Sequence, residues 1–127
     1  MKYLLDTHAL IWYANNDDQL SPSALSLITD PRNTCYISIA SLWEMTIKSS
    51  LGKLDLKTGI GNFAMLALQN GIRVTSININ HLEVYETLPL HHKDPFDRIL
   101  IAQSISDNIP LISKDKIFKT YLSSVVW

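Results

Sequence analysis

Four carboxylates are placed where they could act together: Asp6, Glu44, Asp97 and Asp115. Their surroundings are "YLLDTHALIWY", "SLWEMTI", "DPFDRILIAQ" and "LISKD", the first three largely apolar. An ionised carboxylate in such a setting is costly unless it is hydrogen-bonded, paired or bound to a cation. Carboxylates held close repel and raise one another's pKa, and a divalent cation removes that conflict. Oxygen-only ligands suit Mg²⁺ or Mn²⁺ rather than zinc. Ions held this way activate water and stabilise both oxygens of an in-line phosphoryl displacement. The set therefore points to metal-dependent phosphodiester hydrolysis.

Taken singly, each acid also has an ordinary structural reading. Asp6 could cap a helix that starts at Thr7. Glu44 could be a solvated helix glutamate, and periodicity does not settle which way it faces. Asp94, Pro95 and Asp97 nearly spell a capping box: cap, first helical residue and first-turn acid. Asp115 could be a turn aspartate. Asp94 is thus a helix cap or a support behind the ligands.

The cations divide similarly. Lys48 lies four residues beyond Glu44 on one helix face, as its ion-pair partner or as a phosphate contact. Arg98 contacts a substrate phosphate or only the helix surface, and Lys53 is a further candidate cation. His91 and His92 read as a solvated loop, since adjacent residues rarely point at one ion. His8 packs on the first helix. Trp12, Tyr13 and Trp43 read as core or dimer contacts rather than base-stacking platforms.

Positioning these groups requires alternating strands and helices. Lys2–Leu5 is a short apolar strand and Thr7–Ala14 a helix. Ser21-Pro22 starts a second helix that ends near Ile28. Thr34–Ile37 is β-like, and "SIASLWEMTIKSSLGKL" is helical with Gly52 closing it. Ile60–Asn70 is a helix closed by Gly71, and Ile72–Ile77 a strand. Asn80 caps a short helix through Glu86. Asp94-Pro95 opens a helix whose apolar stripe is Phe96, Ile99, Leu100 and Ile105. Pro110–Ser113 is a strand, followed by a short helix near Ile117 and an apolar run from Ser124 to Trp127. Strands separated by helices argue for an α/β sandwich with a mainly parallel sheet. In such sheets functional groups gather beyond the carboxyl ends of the strands. That rule selects Asp6 and Asp115, which follow strands, and brings Asp97 to the same edge.

The whole chain sets the bounds. Its 127 residues suit one domain, residues 1–127, and 46% apolar content supplies a core. Net charge is −1, which excludes a uniformly basic nucleic-acid coat but not a local basic rim. Cys35 is the single cysteine, so no internal disulfide forms, and a buried thiol in a reducing compartment is expected. Asp6 interrupts the first apolar stretch too early for a signal peptide. No segment approaches the ~20 apolar residues of a membrane span. A soluble cytoplasmic protein is expected.

In this order, "LLDTHALIWY", "SIASLWEMTIKSSLGKL", "DPFDRILIAQS" and "LISKD" resemble the four acidic motifs of PIN-domain ribonucleases. More narrowly, they resemble the VapC-type toxins of bacterial toxin–antitoxin pairs, over nearly the entire chain. The resemblance implies a three-layer α/β/α fold, Mg²⁺- or Mn²⁺-dependent endoribonuclease activity and a homodimer. It also implies structured RNA such as tRNA as substrate, and inhibition by a small antitoxin. Carried over by motif, Asp6, Glu44, Asp97 and Asp115 hold the metal and act in catalysis. Thr7 and Ser113 match the family's small hydroxyl positions near the metal. The alternative is a PIN-like RNA- or protein-binding module without turnover. A phosphatase with Asp6 as nucleophile is disfavoured, because His8 stands where a second aspartate belongs. No glycine-rich turn follows the first strand, which disfavours a Rossmann cofactor site.

Overall fold

In the computed structural model, which describes residues 1–127, five short strands form one sheet. They are β1 (Lys2–Leu5), β2 (Thr34–Ser38), β3 (Ile72–Thr75), β4 (Leu111–Ile112) and β5 (Val125–Val126). Their order is β3-β2-β1-β4-β5 and every pairing is parallel. Parallel neighbours need crossovers, and the helices supply them. These are α1 (Thr7–Ala14), α2 (Pro22–Thr29), α3 (Ile39–Ser50), α4 (Ile60–Gln69), α5 (Ile79–Thr87) and α6 (Pro95–Asp107). A short 3-10 helix, Lys116–Thr120, joins β4 to β5.

Side-chain alternation along the strands builds three layers. Tyr3, Leu5, Cys35, Ile37, Ile72 and Ile112 face one side and pack with Ala9 and Leu10 of α1, Ala24 and Ile28 of α2, Leu42 and Met45 of α3, and Ala67 of α4. Leu4 and Leu111 face the other side and pack on Leu100 and Ile101 of α6, with Phe118 and Leu122. Ala40, Ile99 and Ala102, with Val84 and Tyr85, bind α3, α5 and α6 together. The expected three-layer α/β/α sandwich is the fold that forms. No helix is long and apolar enough to cross a membrane.

The chain runs outward from β1 through β2 to β3, then returns to lay β4 on β1's free side. The strand order therefore reverses at β1. Clefts that bind ligands in open parallel sheets lie at such reversals, outside the carboxyl ends of the strands. Asp6 follows β1 directly, and Ser113 follows β4.

Several boundaries differ from the sequence expectation for local reasons. β3 ends at Thr75 rather than Ile77, because its partner Ser38 is the last residue of β2. Asn78, not Asn80, caps α5. Its side chain accepts from the His81 backbone N–H at 3.1 Å, and His81 Nδ1 accepts from the Asn78 backbone N–H at 3.1 Å. The apolar C-terminal run contributes a strand, β5, in parallel register with β4. α3 ends at Ser50, and Gly52 takes the left-handed conformation (φ +72°) that closes it. α6 is buried over every residue from Arg98 to Ser104, whereas Ile105 is exposed. Covered by the sheet on one side and by α3 and α5 on another, this helix carries no simple amphipathic stripe.

His81 shows how α5 is fixed. It is 1% exposed, and its Nε2 lies 3.0 Å from both carboxylate oxygens of Asp107 at the end of α6. Because Nδ1 accepts a backbone N–H, the ring proton resides on Nε2 and is donated to Asp107. Replacing His81 with Ala removes a helix cap, an interhelical bond and a buried ring. His81→Ala is expected to cost roughly 2–4 kcal/mol. Urea unfolding of the two proteins at pH 7 measures it.

Candidate active site

Asp6 sits at the end of the central strand, 5% exposed. Both its oxygens are engaged. Oδ1 accepts from the Ala9 backbone N–H at 2.7 Å, which caps α1. Oδ2 accepts from Ser113 Oγ at 2.5 Å. The capping reading and a position at the strand edge therefore hold together. Burial pushes the Asp6 carboxyl above its ordinary value, against the Ser113 and Ala9 hydrogen bonds, with the Asp115 charge adding to the rise.

Glu44 points inward from α3 toward α1, its side chain 16% exposed. Its Oε1 accepts from Thr7 Oγ1 at 2.7 Å, and Thr7 Oγ1 also lies 2.9 Å from Ser41 Oγ. Threonine has one hydroxyl proton and a carboxylate can only accept, so Thr7 donates to Glu44 and Ser41 supplies the other bond. Thr7, the residue beside Asp6, thus ties Glu44 to the start of α1. Lys48 Nζ lies 3.3 Å from Glu44 Oε2, forming the intrahelical ion pair. Its side chain remains 38% exposed, so the ammonium still reaches the surface.

Asp97 lies in the first turn of α6, where the helix N-terminus favours an anion. The cap is Asp94, whose Oδ1 accepts from the Asp97 backbone N–H at 3.0 Å. Burial is the main reason that the Asp97 carboxyl is pushed up to about 6, followed by the charge of Asp94. Its hydrogen bond to His92 (Oδ2 to Nε2, 3.2 Å) works the other way, and Asp115 adds to the rise.

Asp115 is exposed and caps the 3-10 helix, accepting from the Ile117 backbone N–H at 3.0 Å. Its own backbone N–H donates to Ser113 Oγ at 3.0 Å. Ser113 thus links the ends of β1 and β4. The Asp115 charge adds to the raised pKa of both Asp6 and Asp97. Glu44 joins them through Thr7. No three His, Cys, Asp or Glu side chains stand within reach of a single ion, so the acids form a loose group rather than a closed cage.

Two sequence expectations need correction. Arg98 is not a surface cation: it is 6% exposed. Its Nη1 carries two N–H groups, which point at the Pro89 carbonyl at 2.9 Å and at Tyr121 Oη at 3.0 Å, with the His92 carbonyl sharing one of them at 3.4 Å. The guanidinium also stacks near the Tyr85 ring, 5.1 Å from its centroid. It is committed to pinning the loop before α6, because a buried guanidinium needs carbonyl and π partners. His92 is not a freely solvated loop residue either, being bonded to both Tyr121 and Asp97. Sequence reading missed Tyr121, which gathers these contacts from 29 residues away; nothing in its local pattern marks it.

The remaining candidates make no hydrogen bond or ion pair with the acids, although the charge of His8 works against the rise at Asp6. His8 is exposed and stacks on Trp12. Lys53 is exposed. Trp12 packs edge-on against Trp127, and Trp43, 62% exposed, meets Phe96. Cys35 is buried, and burial raises its thiol to about 11.

The PIN domain family model matches residues 3–121. The chain belongs to the PIN domain family. Solved structures of the same fold include VapBC2 from Rickettsia felis bound to a DNA fragment from their promoter. The TM-score is 0.72 at 18% identity, covering 99% of this chain and 96% of that one. VapBC-1 from nontypeable Haemophilus influenzae gives 0.69 at 19% identity, covering 100% and 96%. A toxin–antitoxin complex from Klebsiella pneumoniae gives 0.67 at 18% identity, covering 98% and 96%. No curated protein sequence matches the chain. PIN domains are in general nucleases that use divalent metals. The donors in this PIN domain suit such an ion: all are carboxylate oxygens, and none of the ion pairs includes buried Asp6.

The raised Asp97 carboxyl has a consequence for stability. Its folded value, about 6, exceeds the ordinary 3.8, so folding favours the protonated acid. That contribution is full below about pH 4 and is lost as pH rises through about 6. In EDTA, wild type should lose roughly 2 kcal/mol relative to Asp97→Asn across that window. Paired urea melts at about pH 4 and pH 7 measure the difference; equal changes in both proteins would contradict it.

Proposed function

We infer that this PIN domain is a Mg²⁺- or Mn²⁺-dependent endoribonuclease, acting as the toxin of a toxin–antitoxin pair. The observation that carries the reading is the Ser113 hydroxyl, which donates to Asp6 and accepts from the backbone N–H of Asp115, so that acids far apart in sequence meet where β1 and β4 end. Family membership supports nuclease chemistry at that edge. The likeness to VapBC complexes supports the toxin role and an antitoxin partner.

Asp6, Glu44, Asp97 and Asp115 would supply the ion's ligands, their side chains closing in from the loose group in which they stand. When bound, the ion supplies an activated water and charge for the phosphoryl oxygens. The chain's own residues prepare the edge. Ser113 and the Ala9 N–H hold Asp6 in one orientation. Thr7 and Ser41 turn Glu44 inward. Asp94 takes the capping role at α6 and leaves Asp97 free of it. Lys48, exposed beside Glu44, supplies a positive charge for an RNA phosphate.

Exposed apolar side chains support partner proteins. Ile39 and Trp43 on α3, Met65 and Leu68 on α4, and Ile79 and Leu82 on α5 are all open to solvent. A groove of about 440 Å³ between α1 and α4, lined by Leu10, Tyr13, Leu56, Phe63 and Leu66, contains none of the four acids. These surfaces suit an antitoxin and a second copy of the chain, and a cytoplasmic location follows from an RNA substrate.

Incubation with tRNA or other structured RNA and Mg²⁺ or Mn²⁺ should give discrete cuts. Asp6→Asn should lower the rate roughly 100-fold or more, as expected when one ligand of a catalytic ion is lost. Cleavage that persists in excess EDTA, or proceeds undiminished in Asp6→Asn, would overturn the reading. Absence of both cleavage and Mn²⁺ binding would favour the non-catalytic binding module.

A further inference from the structure

We propose that Tyr121 and His92 form a hydrogen-bond relay that orients the Asp97 carboxylate for a divalent cation, making both of them positioning residues of this site. The proposal rests on the metal-dependent reading above and adds to it two side chains outside the acidic set.

The argument starts at the Tyr121 hydroxyl. Three N–H groups point at its oxygen: the backbone N–H of His91 at 3.0 Å, that of His92 at 3.1 Å, and Arg98 Nη1 at 3.0 Å. His92 Nδ1 stands 3.0 Å from the same oxygen. A phenolic oxygen has two lone pairs and one proton. The two backbone N–H groups already fill both lone pairs and Arg98 adds a third donor, so a further N–H from His92 Nδ1 has no place. The phenol's own proton must go to Nδ1, which leaves the ring proton of His92 on Nε2. That nitrogen faces Asp97 Oδ2 at 3.2 Å. The direction of the chain is thereby set: Tyr121 donates to His92, and His92 donates to Asp97.

The consequence falls on the carboxylate. Oδ2 is held by His92, while Oδ1 makes no hydrogen bond within the protein. The relay's base is rigid. Tyr121 packs edge-on against His91, with ring centroids 4.7 Å apart, and the buried Arg98 lies 5.9 Å from its ring centroid. A bond to the outer oxygen of a metal-binding carboxylate typically changes metal affinity 10- to 100-fold when removed.

The fold does not need the His92 ring to hold this loop. The His91 and His92 backbone bonds to Tyr121, and the Arg98 contacts, involve no imidazole atom. Side-chain variants can therefore test orientation apart from folding. An asparagine amide reaches only to the Nδ1 position, toward Tyr121. A glutamine amide reaches the Nε2 position and can still donate to Asp97. Mn²⁺ titration, followed by the paramagnetic resonance of the free ion, should show affinity roughly tenfold weaker in His92→Asn and largely restored in His92→Gln. Melting temperatures in EDTA should stay close to wild type. Nitrogen NMR of wild-type His92 should report the proton on Nε2, and Tyr121→Phe should weaken that preference.

His92→Asn binding Mn²⁺ as tightly as wild type, or more tightly, would overturn the relay, the second case marking His92 as a competitor of the cation. A wild-type proton on Nδ1 would overturn it equally. If His92→Asn melts below the assay temperature, His92→Gln decides: retained affinity supports the relay and a tenfold loss removes it. Wild type that binds no Mn²⁺ sinks the metal-dependent reading and the relay together, whereas wild-type binding indifferent to His92 sinks the relay alone.

Discussion

A charge-bearing group at the end of a fully buried strand is the constraint around which this molecule is organised. β1 lies in the middle of the sheet and is covered on both faces, so Tyr3, Leu4 and Leu5 are all buried. A carboxylate has no place along such a strand, and it can stand only where the strand ends and polar partners begin. Asp6 stands there, and the surroundings answer its burial. α1 starts at once and offers the Ala9 N–H. β4, laid beside β1 by the reversal of strand order, offers Ser113. The same reversal of strand order thus supplies the groups that make a buried carboxylate tolerable at the sheet edge.

The other acids come from helices, and capping takes only part of what their carboxylates can accept. At α6, Asp94 satisfies the open backbone N–H and Asp97 beside it keeps its oxygens for other partners. At the 3-10 helix, Asp115 gives Oδ1 to the cap. Asp6 gives one oxygen to the cap and the other to Ser113. Structural and functional readings of these acids are therefore compatible, because a carboxylate has two oxygens and a helix N-terminus needs only one of them. Helix N-termini also carry partial positive charge, which eases the gathering of acids on one edge. Glu44 is the exception: it comes from mid-helix and is turned inward by Thr7.

The cations follow a different rule. Lys48, on an exposed face of α3, keeps its ammonium near water while pairing with Glu44. Arg98, one residue from an acid of the site, is drawn into the interior and serves the loop before α6. A planar guanidinium can satisfy carbonyls, a phenol and a ring face together, which an ammonium cannot. Adjacency in sequence to Asp97 thus says little about which way Arg98 points, since neighbours in a helix diverge by about 100°.

Much of the fold was legible in the sequence alone. Alternating apolar runs and helical stretches, serine, aspartate and proline at helix starts, and glycine after helix ends specified the class and most elements, because these signals are local. "LLDTHALIWY" and "DPFDRILIAQS" also singled out candidate acids by type and surroundings. What the chain could not announce were relations between distant residues. Asn78 became the cap of α5 because His81 answers it and Asp107 holds His81. β3 stopped where β2 turned into a helix, and the final apolar run became a strand only because β4 lay open beside it. Tyr121 carries no local mark at all, yet it meets the backbone of His91 and His92 and the head of Arg98. Composition and spacing determine which groups are available and which elements form. Burial and hydrogen-bond partnership, which set the state of each carboxylate, exist only once the layers have closed around them.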